Sequence, residues 1–209
     1  MMRESHNLDA ERRQVLEIAL KMVPLEGWTD SMLRRAAEKA GVLTDHNKLA
    51  FPKGVHDLIH FYSQELDANL LHLLDAEDLD PMKVRKRIEF AVRNRIDLLR
   101  SHKAAAKRVA AYLALPQNAF LASWLIYSTC DAIWHGIGDR STDINFYTKR
   151  GTLAGVYSST LLFWLGDESA GSEASWNFLS RRIENVMEFE VVKVRVCRAI
   201  ETLPSREVC

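Results

Sequence analysis

The chain has 209 residues, which is enough for one large domain or for a small domain packed against a larger one. Its 28 Lys and Arg residues balance its 28 Asp and Glu residues. This balance excludes a global electrostatic preference for nucleic acid or for an anionic surface, so any such preference must be local. The three cysteines, Cys130, Cys197 and Cys209, form no pair at metal-ligand spacing, which favours a reducing compartment.

Targeting and membrane-spanning signals are weak. The opening segment, MMRESHNLDAERR, has no apolar core of a signal peptide and is too acidic for a typical transit sequence. Residues 109–130 are uncharged and long enough to span a bilayer, but Pro116, Gln117 and Asn118 interrupt them. We therefore expect a turn between two buried helices there, and a protein that is soluble or peripheral to a membrane.

Apolar residues recur at helical spacing along almost the whole chain, and the alternating pattern of strands is nearly absent. The fold is therefore predicted to be all-α. In chain order, helices are expected over residues 9–23 (ended by Pro24), 30–40 (stopped by Gly41), 45–50, 55–74, 81–100, 102–115, 117–137, 144–165 and 172–199. The helices over residues 117–137 and 144–165 are apolar nearly all round, so protein, a partner or lipid must bury them.

The first three predicted helices are short, and Phe51-Pro52-Lys53-Gly54 and a long helix follow them. The segment GWTDSMLRRAAEKAGV covers the second of these helices. In these features the chain resembles TetR-type repressors, in which this segment opens the DNA-binding helix-turn-helix. The resemblance implies a helix-turn-helix-like unit over residues 1–54, a larger helical domain over residues 55–200 and a tail over residues 201–209.

Charge decides whether this unit is expected to bind DNA, because neutralising phosphates supplies most non-specific affinity. Residues 1–60 are neutral, with nine basic and nine acidic residues. The would-be recognition segment, LTDHNKLAF, carries Asp45 near its start and Lys48 as its cation. His46 and Asn47 have groups that read bases, but we expect them to face solvent. Nucleic-acid binding is therefore not expected of this unit.

One pattern is typical of metal sites. His56 and His60 are four residues apart, as in the helix of zinc proteases, but Asp57 stands where that motif has Glu and no third ligand can be nominated. We interpret both as ordinary helix residues. The sequence has no Gly-rich phosphate loop, no nucleophile elbow and no Glu followed three positions later by His, so it offers no candidate for catalysis.

Charge is segregated in the middle of the chain. Residues 57–80 contain seven acidic residues and no Lys or Arg, whereas residues 83–108 contain ten basic residues. A basic helical face is suited to anionic lipid headgroups, but pairing with the acidic block is the preferred interpretation. The last predicted helix ends in EVVKVRVCRAIETLP, a pattern compatible with an interfacial helix, with packing onto the bundle or with a strand.

The segment from Gly138 to Arg150, GDRSTDINFYTKR, is the most distinctive part of the chain. It is followed by LAGVYSSTLLFWLGD and later by SWNFLSRRIENVMEFE. In these segments the chain resembles the lipid-binding accessory family of ubiquinone biosynthesis, which is known from mitochondria and from bacteria. The likeness runs from about Leu16 to Glu190 and includes the helix trio and FPKGVHDLIHFYSQELD.

This resemblance implies a TetR-like homodimer that holds an isoprenoid lipid or a quinone intermediate in a cavity of the larger domain. It implies no catalysis, cofactor or metal, and docking onto the di-iron hydroxylase of the pathway at a membrane surface. That surface is the bacterial inner membrane facing the cytoplasm, or the mitochondrial one facing the matrix if a transit peptide has been removed. The family's exposed aromatic pair corresponds to Phe146 and Tyr147, with Asp143 and Asn145 beside them. Trp is more usual at position 146, so the patch is smaller here.

Residue chemistry explains part of the same motif without a partner. Residues 141–143, Ser-Thr-Asp, are good N-cap residues for a helix beginning near residue 144. Lys149 and Arg150 lie close to that helix start, where the helix dipole disfavours cations unless Asp139 or Asp143 pairs with them. Capping, charge pairing and ordinary packing are therefore the alternative interpretation of this segment.

Five large side chains on the two most apolar helices are the candidates to line the lipid cavity: Trp124, Trp134, Tyr157, Leu161 and Trp164. An apolar stripe at helical spacing is equally typical of a packed core, so the family resemblance is what favours a cavity. The sequence thus predicts a non-catalytic lipid-binding protein of ubiquinone biosynthesis. The alternative is a TetR-type ligand-responsive transcriptional regulator, in which the same cavity controls operator binding.

Overall fold

The computed structural model describes residues 2–139 and 144–186, except for the side chains of residues 2–7, 44 and 144–146. Within these ranges the chain is helical and has no strand, so the predicted all-α fold is confirmed. The helices are α1 (Met2–Glu26), α2 (Asp30–Lys39), α3 (Thr44–Ala50), α4 (Val55–Asp75), α5 (Val84–Asp97), α6 (Lys103–Leu113), α7 (Ala119–Gly136), α8 (Ile144–Gly166) and α9, described from 173 to 186. The rest of the predicted last helix, with its interfacial interpretation, and the predicted tail lie outside the described residues.

The predicted bounds of the first helix are wrong at both ends. α1 begins at Met2 and continues through Pro24 to Glu26. The proline ring holds φ near the helical value, so near a helix end its main cost is the lost hydrogen bond to the Leu20 carbonyl. The Gly27 N–H then donates to the Val23 carbonyl at 2.8 Å, and Gly27 ends the helix at φ +73°.

Local hydrogen bonds fix α2 as predicted. The Thr29 hydroxyl accepts a backbone N–H of the first turn at 3.1 Å and caps the helix. At the other end Gly41 adopts φ +72°, and the Val42 N–H donates to the Ala37 carbonyl at 3.0 Å. These two features form a Schellman ending, which confirms the predicted stop at Gly41.

A side chain at the start of α2 caps the start of α4. Gly54 has φ +62° and ψ −133°, backbone angles that only glycine adopts readily. Because Gly54 has no side chain, Asp30 fits against it, and Asp30 Oδ1 accepts the Val55 N–H at 2.8 Å. The carboxylate thereby satisfies one of the amides that every helix start leaves without an intrahelical acceptor.

The helix trio and the larger helical region share one core. Buried apolar side chains form a continuous cluster that runs from Val15 in α1 to Ile183 in α9. At the junction, the Trp28 ring stacks on Tyr62 with 6.1 Å between centroids, and its Nε1–H donates to the Ala105 carbonyl at 3.4 Å. The domain boundary at residue 54 stays a prediction, and packing is continuous across it.

α5 starts at Val84, three residues later than predicted, because Arg87 holds the preceding residues in a loop. The Arg87 guanidinium donates to the carbonyls of Met82 and Asp80 at 3.0 and 3.2 Å, and it lies 3.8 Å from the Asp80 carboxylate. The helix ends at Asp97, and a short 3-10 turn follows it. The acidic and basic blocks of the sequence therefore pair at this loop, as predicted.

The predicted interruption of the long uncharged stretch is confirmed as a turn. A 3-10 turn over Pro116–Asn118 separates α6 from α7, and the buried Asn118 side chain donates to the Tyr112 carbonyl at 2.7 Å. Across the two described ranges, no single helix is both long and apolar enough to span a membrane. The stretches Val84–Leu113 and Pro116–Gly136 meet that requirement only together, as a pair bent by 98°.

Candidate functional site

A cavity of about 100 Å³ lies between the facing sides of α4, α5, α6, α7 and α8. Its apolar lining consists of Ile59, Leu66, Leu99, Ala106, Val109, Ala110, Leu113, Leu125, Ile126 and Leu161. Its polar lining consists of Tyr62, Ser63, Arg95, Thr129 and Tyr157. We call this space the central cavity. It is smaller than the roughly 300–1,000 Å³ of a typical small-molecule site and closer to the size that takes a single ring.

A buried ion pair forms the polar end of the central cavity. Arg95 Nε donates to Asp67 Oδ1 at 2.6 Å, and the two side chains are 3% and 12% exposed. The Thr129 hydroxyl donates to both carboxylate oxygens at 3.0 and 3.2 Å, and Arg95 Nη2 donates to the Ser63 hydroxyl at 3.3 Å. The carboxylate is therefore well satisfied, and the net charge of the pair is zero.

Two polar atoms at this end have no partner among the described residues. They are Nη1 of Arg95 and the hydroxyl of Tyr62, and both are buried. Burial raises the pKa of Tyr62 to about 12, against the opposing effect of the Arg95 charge. The Tyr62 hydroxyl therefore keeps its proton at neutral pH, so both atoms are buried hydrogen-bond donors, and each belongs to a residue that lines the central cavity.

A second, larger cavity of about 350 Å³ lies between α5, α8 and α9, with one wall from α7. Its apolar lining is formed by Val84, Ile88, Trp134, Leu153, Val156, Ile183 and Val186, and its polar lining by Arg85, Thr148, Lys149 and Thr152. We call it the cleft. Its volume falls in the range of small-molecule sites, and its walls are mostly apolar, as such sites require.

The start of α8 borders the cleft. Tyr147 is 71% exposed and precedes Thr148, the first lining residue of the cleft on α8. Lys149 Nζ lies 2.8 Å from Asp139 Oδ1, so the predicted pairing of this cation is confirmed. Arg150 is buried and pairs at 2.7 Å with Asp131 of α7, a partner that the sequence did not suggest.

The remaining residues of the predicted partner surface are described only in part. Asp143 and the predicted capping residues 141 and 142 lie outside the described residues. Asn145 and Phe146 belong to α8, but their side chains also lie outside the described part of the chain. Of this predicted surface the structure therefore describes the side chain of Tyr147, which is exposed, and its role in binding a partner stays a prediction.

The five predicted lipid-lining residues do not share one cavity. Tyr157 and Leu161 line the central cavity, and Trp134 lines the cleft. Trp124 is 49% exposed and lines an open groove between α4 and α7. Trp164 is fully buried, with the Lys103 ammonium 4.7 Å from the centre of its ring. The lining predicted from the sequence is thus divided among several places.

The open groove also contains the two helix histidines. His60 Nε2 accepts the Trp124 Nε1–H at 3.4 Å, and the His56 ring meets Tyr112 edge to face with 5.7 Å between centroids. Among the described residues, no group of three or more His, Cys, Asp or Glu side chains is arranged to hold a metal ion. Both histidines therefore contact neighbouring aromatic side chains, and their interpretation as ordinary helix residues stays a prediction.

Arg95, Asp67 and Tyr62, which line or border the central cavity, were not predicted from the sequence. The sequence did carry a signal for Arg95, because it lies three residues after Val92 and seven after Ile88 on the apolar face of α5. A charge on the apolar face of a helix is rarely fully buried unless it is paired. The same reasoning applies to α4, where Asp67 lies three residues before the fully buried Leu70.

The fold defines a TetR-like helical protein. The crystal structure of the TetR transcriptional regulator from Nitrosomonas europaea matches with a TM-score of 0.65, covering 83% of this chain and 95% of that one. Sequence identity is 19%, so the match shows the fold alone. The predicted TetR-like architecture is thereby confirmed.

Residues 121–190 match the COQ9 family. The chain is 34% identical over 183 residues to the mitochondrial ubiquinone biosynthesis protein COQ9 of Rattus norvegicus, covering 84% of this chain and 58% of that protein. The human protein of the same name is 31% identical over 183 residues, covering 84% and 57%. The Drosophila melanogaster protein is 31% identical over 189 residues, covering 88% and 58%. These matches confirm the predicted family resemblance, and the chain spans less than three fifths of these relatives' lengths.

Proposed function

We propose that the protein is a non-catalytic lipid-binding protein of ubiquinone biosynthesis. It holds an isoprenoid lipid or a quinone intermediate and presents it to the di-iron hydroxylase of the pathway at a membrane surface. The observation that carries this proposal is the position of the cleft, whose apolar lining begins beside the exposed Tyr147. A lipid in the cleft lies directly next to the surface on which the hydroxylase docks.

The walls of the cleft suit a prenyl chain. Val84, Ile88, Leu153 and Val156 offer aliphatic contacts, and Trp134 adds a large flat surface. Burying apolar surface contributes about 25 cal/mol per Å², so a chain gains affinity from each unit that enters. The ligand needs no charged group, because Lys149 at the cleft is already paired with Asp139.

Exposed apolar and basic surfaces support the remaining parts of the proposal. Leu162 and Phe163 of α8 are 64% and 41% exposed, and Phe163 stacks on Phe178 of α9 at 4.6 Å. Such a patch supports a homodimer through α8 and α9.

Exposed cations of α5 and α6, including Arg93 and Lys107, support contact with anionic headgroups. The names of the relatives call them mitochondrial, which supports the mitochondrial alternative for the location over the bacterial one.

The charges of α3 give less support to the alternative of a DNA-binding regulator. Lys48 lies 3.9 Å from Asp45, and His46 lies 3.2 Å from Glu11. Leu49, which is 67% exposed, presents an apolar side chain where a DNA-recognition helix needs hydrogen-bonding groups. A shift of its own promoter DNA at moderate salt is the result that would favour the regulator.

Replacing Tyr147 with Ala tests the presentation step. An exposed Tyr at the centre of an interface typically contributes at least about 2 kcal/mol, so we expect capture of the purified hydroxylase to weaken about 30-fold. The double replacement Phe146→Ala with Tyr147→Ala should weaken it further. Affinity is measured by surface plasmon resonance, with circular dichroism to show that helicity is preserved.

Tyr127→Ala is the matched control, because Tyr127 is an exposed Tyr on α7 that the proposal assigns to no partner. Its capture affinity should equal that of the unaltered chain. Equal capture by the Tyr147→Ala chain and the control would refute the docking assignment.

A further inference from the structure

We propose that the bend between α6 and α7 binds the interface of an anionic lipid bilayer, with Leu115 and Phe120 entering the apolar layer and Lys107 and Arg108 contacting the headgroups. We call residues 114–120 the apolar corner. The inference rests on the proposed function, because it assigns the surface that the protein places against the membrane. It uses none of the residues assigned to the cleft or to hydroxylase docking.

The apolar corner is an exposed bend. The stretches on its two sides meet at 98°, and residues 114–117, 119 and 120 are all exposed. Gln117 is the polar residue among these six. Phe120 is 84% exposed and Leu115 is 44% exposed. Single exposed apolar residues are ordinary, but neighbouring ones at an exposed bend indicate a surface that is covered when the protein works.

Buried hydrogen bonds hold the apolar corner in shape. The Asn118 side chain is buried and donates to the Tyr112 carbonyl at 2.7 Å, and the Asn118 backbone N–H donates to the Leu115 carbonyl at 2.9 Å. The amide of this turn therefore points inward, while Leu115 and Phe120 stay exposed on either side of it. Because the turn is already ordered, binding costs little conformational entropy there.

The charges around the apolar corner favour an anionic surface. Residues 98–130 contain no Asp or Glu, and their four Lys and Arg residues all lie at or before residue 108. Lys107 is exposed and forms no ion pair with a described residue. Arg108 donates to the Pro24 carbonyl at 3.3 Å rather than to a carboxylate. Arg108 and Leu115 are seven residues apart, about two helical turns, so both lie on the outer side of α6.

The neighbours of the apolar corner suit a bilayer. Leu25, which follows the Pro24 contacted by Arg108, is 90% exposed. Trp124 and Tyr127 continue the exposed face of α7 beyond Phe120. Trp and Tyr side chains favour the bilayer interface because each combines an apolar ring with a polar edge. A fluid bilayer also covers a protruding bend without a matching hollow, which a folded partner would have to supply.

The test is flotation of the full chain with vesicles of phosphatidylcholine, alone or mixed in equal parts with phosphatidylglycerol. We expect Phe120→Ala to weaken binding to the mixed vesicles about tenfold, because most of an exposed Phe side chain no longer enters the bilayer. We expect Lys107→Gln to weaken it about fivefold, the worth of one cation near an anionic surface, and to leave binding to phosphatidylcholine unchanged. Both side chains are exposed, so circular dichroism should show unchanged helicity.

Two matched controls lie outside the apolar corner. Leu49→Ala removes an exposed apolar side chain of α3, and Lys39→Gln removes an exposed cation of α2. Both should bind the mixed vesicles as the unaltered chain does.

Equal vesicle binding by the Phe120→Ala chain and the unaltered chain overturns the inference, as does a loss no larger than that of Leu49→Ala. Absence of vesicle binding by the unaltered chain also overturns it. Weaker hydroxylase capture by Phe120→Ala with unchanged vesicle binding assigns the apolar corner to a protein partner and likewise overturns it. The lipid-carrying function is decided separately, by whether an isoprenoid lipid is recovered from the unaltered chain, so either can fail without the other.

Discussion

Replacing Arg95 with Met is expected to cost about 3–5 kcal/mol of unfolding free energy, because it leaves the Asp67 carboxylate buried without its cation. Arg95 and Asp67 are among the most buried charges described, and their contact of 2.6 Å links α5 to α4. The Thr129 hydroxyl alone cannot offset the desolvation of a carboxylate. The loss is measured by urea unfolding followed by circular dichroism.

Two further variants show whether the lost stability comes from the unpaired Asp67 carboxylate. Replacing both residues, Arg95→Met with Asp67→Leu, should recover most of the lost stability, since apolar residues of similar size often replace a buried ion pair without cost. Arg93→Met is the matched control, because Arg93 forms an exposed pair with Asp97 at 3.8 Å and should lose at most about 1 kcal/mol. If Arg95→Met were no more destabilising than Arg93→Met, the ion pair would not stabilise the fold in this way.

Replacing Gly54 with Ala is expected to cost about 2–4 kcal/mol, through two effects that add. The backbone angles at Gly54 are nearly closed to residues with a side chain, and a Cβ there overlaps the Asp30 carboxylate. Moving that carboxylate breaks its hydrogen bond to the Val55 N–H, which caps α4. Thermal unfolding by calorimetry gives the change.

Gly41→Ala is the control for this prediction. Gly41 also has a positive φ, +72°, but a Cβ there meets nothing within 4 Å. It should therefore cost only the backbone strain, about 1–2 kcal/mol. Equal losses for the two variants would show that the contact with Asp30 contributes nothing.

The helices were predictable from the sequence because apolar residues recur at a spacing close to 3.6 residues, and the positions of α2 and α4 show this. The end of α1 was less predictable. Pro24 is typical of a helix end, yet a proline close to a helix end removes only one backbone hydrogen bond. Local sequence alone therefore does not distinguish a proline that ends a helix from one that the last turn tolerates.

The candidate site was only partly predictable for a related reason. α7 and α8 are apolar nearly all round, so periodicity does not tell which side faces a cavity, a core or solvent. Trp134 and Tyr157 did prove to line cavities, whereas Trp164 is fully buried and Trp124 is half exposed. Only the packing of five helices brings Arg95 to Tyr62, which lies 33 residues earlier in the chain.

The central claim is that this protein carries an isoprenoid lipid, and mass spectrometry of an organic extract of the purified full chain tests it most directly. The chain is expressed in a host that makes ubiquinone. Thr152→Phe, which fills the cleft from its half-buried wall, is compared with Thr152→Val, which nearly preserves the volume. We predict an isoprenoid or quinone lipid from the unaltered and Thr152→Val chains and much less from Thr152→Phe. Recovery of no such lipid from the unaltered chain, even after one is supplied, would contradict the claim.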